Sequence, residues 1–217
     1  MDGEVIVDGN HQYIAAKILG REINVDPGVL TSYKESKVKP VADLKITSNE
    51  YGGGSGMIII SFEVGEPAEL PYDSLVGVDL SGGGFHRAIF YGLNMSGAKF
   101  VRANLRNAIF DNSNLEGANL SRSNLMNATM VGANVSFSNV TECFAVCADF
   151  TGANLSGSDF SGADLMYAKF CNANLSGANL EVKSLEFADF SNAIFDSETV
   201  WPCGFDVKKV RGLKAEG

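Results

Sequence analysis

The chain has 217 residues, with 17 basic against 26 acidic side chains and a formal net charge of −9. That balance excludes a basic nucleic-acid binder acting by phosphate neutralisation, and no apolar run approaches the ~20 residues that span a membrane. Met1-Asp2-Gly3-Glu4 lacks the basic start of a secretory leader, and 24 Gly against 5 Pro with 45% hydrophobic residues predict an ordered, turn-rich β protein, soluble and cytoplasmic.

Residues 1–74 read as a small α/β segment. Val5-Ile6-Val7 has strand character, and Asn10 can cap a helix that runs to about Leu19 and stops at Gly20. A Gly-rich break at 52–56 precedes a further strand at 57–64, placed to pair with or cover whatever follows. The stretch Val7-Asp8-Gly9-Asn10-His11-Gln12-Tyr13-Ile14-Ala15-Ala16 resembles the strand–turn–helix motif of ParB/sulfiredoxin-like domains, including the ParB-like modules of polymorphic toxins. The resemblance implies a phosphate site at Asp8, Gly9, Asn10 and His11, where a helix N-terminus favours anions. Gln12 stands where that family carries Arg, and the elements that usually precede the motif are absent. A degenerate, truncated remnant serving as an N-terminal cap is therefore the expected role.

From position 80 to position 195 every fifth residue is apolar, and only Ala145 is smaller than Val. Two positions before each stands a small residue, usually Ala, and between the two stands Asn or Asp in most repeats, as in Ala103-Asn104-Leu105. A period of five fits neither a helix nor a long strand. In a short extended segment Ala103 and Leu105 would point inward together while Asn104 faces water, and the remaining two residues turn a corner. One such unit cannot bury its own apolar side, so the units must stack.

These residues resemble the pentapeptide-repeat family over 75–200. The resemblance implies an all-β solenoid, a right-handed quadrilateral β-helix with four repeats per coil. Its 24 repeats would make about six coils, a rod of about 29 Å at ~4.8 Å per stacked strand.

Twenty-residue columns refine the expectation. Phe90, Phe110, Met130, Phe150, Phe170 and Phe190 should stack along one inner face. Ala145 interrupts a Leu column beside Phe144, which predicts a bulge that swings Phe144 inward. Lys183 at a small inward position predicts distortion of the last coils, because an unpaired buried ammonium is costly. Outside, Arg102, Arg122 and Glu142 should form one exposed column, and Tyr167 and Phe187 another. The two aromatics form either an interaction patch or a seat for the C-terminal tail. The tail, 201–217, is off register; Trp201 and Phe205 suit a cap over the last coil, followed by a short basic helix.

Only two His, His11 and His86, are present, and no metal-ligand spacing accompanies them. Cys143 should face inward and Cys147 outward, with no pair placed for bridging. No cofactor, metal or catalytic residue is implied, so the chain is not expected to be an enzyme. The expected function is a bacterial protein-binding scaffold whose partner is unknown, with Tyr167, Phe187, Arg102 and Arg122 as candidate contact residues. The chain itself would be a monomer, or a homodimer formed through the C-terminal end. The resemblance also implies an alternative, modulation of a type II topoisomerase such as gyrase by DNA mimicry. A ParB-like nucleotide-handling module in the N-terminal segment is the second alternative.

Overall fold

The computed structural model describes residues 57–185 and 187–207 and the backbone of 214–215. The readings at 5–20, including Asp8, Gly9, Asn10 and His11, lie outside the described residues, as do the Gly-rich break and the basic residues Lys208 and Lys209.

The architecture follows from one five-residue unit, such as Ala103-Asn104-Leu105-Arg106-Asn107. Asn104 N–H donates to Gly83 O (2.9 Å) twenty-one residues back, while Leu105 N–H donates to Asn124 O (2.9 Å) nineteen residues on. Ala108 N–H then donates to Leu105 O (3.0 Å), closing a turn whose third residue, Asn107, is left-handed at φ 54. Parallel bridges join Asn104 to Asn124, Asn124 to Phe144 and Phe144 to Asp164. Each repeat therefore pairs with the fourth repeat after it, and four short sides complete one turn of a β-helix.

The same unit explains the polar residue between the two inward ones. Among the described residues Arg106 N–H has no backbone partner and donates instead to Asn104 Oδ1 (3.4 Å); Glu116 and Ser121 N–H donate likewise to Asn114 and Asn119 Oδ1 (3.1 and 3.0 Å). A short side-chain acceptor is needed there because a first corner amide without a bond would be an orphan donor. On one face the amides also form a ladder, with Asn134 Nδ2 donating to Asn114 Oδ1 (3.2 Å) and Asn154 Nδ2 to Asn134 Oδ1 (3.1 Å).

The inward residues form one continuous core. Phe90 stacks on Phe110 at 4.8 Å and 13°, Phe150 on Phe170 at 5.1 Å and 4°, and Phe170 on Phe190 at 5.0 Å and 6°. Between the two aromatic groups lies a turn whose large inward positions are Met130, Val135, Val140 and Ala145, all fully buried and none aromatic.

The expected bulge at Ala145 is absent. Phe144 is 50% exposed and sits in regular bridges to Asn124 and Asp164, and Leu125 N–H reaches Phe144 O at 2.7 Å. Backbone pairing on both sides holds Phe144 outward, since turning it in would cost both sets of ladder bonds. Ala145 thus stands between Leu125 and Leu165 with regular coil spacing and three fewer carbons. Ala145→Leu is accordingly expected to raise the melting temperature by filling the layer, where an inward Phe144 would have made it overpack. Thermal unfolding followed by circular dichroism decides this, and a lowered midpoint would show that neighbouring side chains already occupy the volume.

Lys183 is exposed, turned out of its small inward position, while Lys183 N–H still donates to Ala163 O (2.9 Å). The last turn deviates further. Asn174 bridges Ile194, but Asn179 bridges Val200, so one extra residue enters between them. Asp196 Oδ1 accepts from Gly177 N–H (2.9 Å) and Thr199 Oγ1 donates to Leu175 O (2.9 Å), which binds the insertion to the turn below.

At the other end β1 (Ile58–Phe62) pairs antiparallel with β2 (Ala68–Leu70) and with β3 (Ala88–Ile89), in the registers Ile58 with Leu70 and Ser61 with Ile89. Ile60 and Leu70 are buried in the same cluster as Leu80 and Phe85. After the last turn, β4 (Ile194–Phe195) pairs in parallel with β5 (Lys214–Ala215). Trp201 packs edge-on against Phe190 (5.6 Å) and Phe195 (5.7 Å) and stacks on Phe205 (5.2 Å, 8°).

Candidate interaction surface

The second residue of nearly every corner is left-handed, Val182 being an exception, a conformation open to Gly and tolerated by Asn. Most corners carry one of these two. The exceptions are Arg87, Arg102, Arg122, Phe137, Glu142, Cys147 and Tyr167, with φ between 54 and 61. A bulky residue held in that region stores strain that the surrounding ladder must overcome.

Arg102 and Arg122 share a corner row with Glu142. Arg122 Nε donates to Glu142 Oε2 (3.1 Å) and Nη2 to Oε1 (3.0 Å), a two-pronged pair across adjacent turns. Those hydrogen bonds, and then the guanidinium charge, hold the Glu142 carboxyl below its ordinary range. The row lines a shallow groove of about 440 Å³ with Ser121 and Thr141. Arg102 and Arg106 are exposed and make no side-chain hydrogen bond or ion pair among the described residues.

Tyr167 and Phe187 share the next corner row and stack at 5.0 Å and 21°, yet they are 51% and 59% exposed. Of the tail that could seat on this pair, the side chains of 201–207 are described. Trp201 packs over Phe190 and Phe195, and Phe205 stacks on Trp201. In the same row, burial and then the charges of Arg87 and Arg106 lower the His86 pKa, and His86 Nε2 lies 3.2 Å from Asn107 Nδ2.

Two exposed aromatics escaped the sequence reading as surface features. Phe144 replaces the Asn/Asp acceptor, and that departure was its signal. Phe137, 69% exposed, lies over Gly157, where an added Cβ would meet its ring at 2.7 Å. Among the cysteines, Cys143 is buried and its thiol is pushed up to about 12 by burial, whereas Cys147 is exposed and unpaired. Among the described residues there is no group of three or more His, Cys, Asp or Glu able to hold a metal ion, and no helix long and apolar enough to cross a membrane.

The model of a family described as pentapeptide repeats matches in eight copies over residues 74–107, 108–144 and 146–181. The chain belongs to the pentapeptide-repeat family. Solved structures similar to it include HetL, a pentapeptide-repeat protein involved in heterocyst differentiation regulation in the cyanobacterium Nostoc. It is 25% identical, with a TM-score of 0.34 over 64% of this chain and 66% of HetL. A pentapeptide-repeat protein of the Arabidopsis thaliana thylakoid lumen is 30% identical over 52% of this chain and 69% of its own, with a TM-score of 0.31. QnrB1, a plasmid-mediated fluoroquinolone resistance protein, is 18% identical over 65% of this chain and 86% of its own, with a TM-score of 0.29. No curated protein matches the chain.

Proposed function

We propose that the chain is a non-enzymatic, cytoplasmic protein-binding scaffold, a right-handed quadrilateral β-helix of about six coils closed by its N-terminal segment and its C-terminal tail. The observation that carries the reading is the stacked, half-exposed pair of Tyr167 and Phe187 on a rigid, fully packed wall. Exposed aromatics in contact lower the cost of desolvation on docking, and side chains held by a stiff ladder lose little entropy when bound. Arg102 and Arg122 supply polar contacts on the adjoining row. Tyr167→Ser with Phe187→Ser is expected to abolish capture of the native partner from host extract while leaving the melting curve unchanged. Undiminished capture by the double variant would remove the patch from the interface.

The DNA-mimicking alternative needs a regular row of unneutralised acids. Here Asp149 pairs with Lys169 (3.3 Å), and the same outward row continues through Thr129, Ile109 and Ile89 with no acid in the first half. A gyrase supercoiling assay tests it, and no inhibition is expected. Calorimetric titration with nucleotide tests the N-terminal alternative at Asp8, Gly9, Asn10 and His11.

A further inference from the structure

Bulky residues in left-handed corners are not evenly distributed. Six of the seven stand on two adjacent rows, Arg102, Arg122 and Glu142 on one and Arg87, Cys147 and Tyr167 on the next. Among the described residues, the left-handed corners of the other two rows are all Gly or Asn, Phe137 excepted. The two crowded rows flank a single face whose outward residues run Gly84, Asn104, Asn124, Phe144, Asp164 and Ser184. Neither Arg102 nor Tyr167 repays its backbone strain with a contact to the core, and strain retained without a packing return marks a surface kept for a ligand.

The face changes character along its length. Exposed Arg102 and Arg106 stand at one end, without ion-pair partners among the described residues, and exposed Phe144, Tyr167 and Phe187 at the other. Three coils separate Arg106 from the level of Tyr167, about 14 Å at ~4.8 Å per coil, which an extended chain spans in about four residues. The geometry points to this face as the docking site for an extended segment of a partner protein, with carboxylates over Arg102 and Arg106 and an aromatic or long aliphatic side chain about four residues away against Phe144 and Tyr167. This rests on the scaffold reading above and adds which face is used and what chemistry it selects.

The test is to pan a random peptide library on the full-length chain. Selected peptides are expected to carry two or more Asp or Glu about four residues from an aromatic or Leu. Arg102→Asn and Tyr167→Asn should each weaken them by at least about tenfold. Both variants should nevertheless keep or raise the melting temperature, because Asn suits a left-handed corner; a merely structural role would lower it. Phe137→Asn, on a different corner row, should leave binding unchanged. Selected peptides that are basic, or that keep their affinity for the Arg102→Asn and Tyr167→Asn variants, would overturn this face while leaving the scaffold reading standing. A library that yields no binder would count against both.

Discussion

Phe150→Ala is expected to lose ~3–5 kcal/mol of stability, as large-to-small changes in a packed core do. Phe150 is fully buried, lies parallel to Phe170 and meets Phe160 edge-on at 5.6 Å. On its other side lies the layer of Met130, Val135, Val140 and Ala145, which has no aromatic ring to move into the gap. The lost volume therefore stays unfilled at the thinnest part of the core. A solenoid holds together through nearest-neighbour interfaces, so weakening one layer can uncouple the turns on either side. Trp201, the only tryptophan, reports the C-terminal end, whereas circular dichroism reports every turn. In the wild type the two probes should give one urea midpoint; in Phe150→Ala they should separate. Phe110→Ala should cost a similar amount, ~3–5 kcal/mol, because Phe110 loses a stack on Phe90 and an edge contact with Phe100 at 6.0 Å. Either variant lying within about 1 kcal/mol of wild type would refute the ladder as a source of stability.

The register of the core was legible because burial leaves a signature that composition cannot disguise. A large apolar residue every fifth position, with a small one two before it, dictates which side chains face in, and Phe85 through Phe190 do so. The reason for Asn at position 104 was only half legible. Its polarity reads as exposure, but its role as acceptor for the Arg106 amide depends on a corner geometry that the sequence does not print. Phe144 and Lys183 were the hard residues for the same cause. Hydrophobicity argues for turning a Phe inward, yet the ladder bonds on both sides of Phe144 outweigh the burial of one ring. At Lys183 the cost of burying an ammonium at a small inward position predicts distortion of the last coils, and the side chain is exposed there. The candidate contacts were legible as exposed columns. That Arg102, Arg122 and Tyr167 sit on strained corners of one face was not, because backbone conformation becomes visible only when each corner is compared with its neighbours.

Deleting residues 201–217 is expected to convert the chain into a discrete dimer. The deletion removes Trp201 from Phe190 and Phe195, and it removes β5 from the edge formed by Ile194 and Phe195. What remains is an apolar cross-section ringed by unpaired backbone donors and acceptors, the arrangement that recruits another strand edge. Its reach is limited by the opposite end, where β1 pairs with Ala88 and Ile89 and Ile60 and Leu70 are buried with Leu80 and Phe85. With only one open end per molecule, two truncated chains can meet end against end, a closed twofold contact with nothing left to propagate. Light scattering should therefore show the full-length chain as a monomer and the truncation at twice the mass. Tyr167→Ser with Phe187→Ser in the truncated background should leave that dimer intact, because the lateral patch is not part of the end contact. A truncation that stays monomeric would show that the tail covers nothing. Growth into longer assemblies would show instead that the hairpin of β1 and β2 leaves the first turn open.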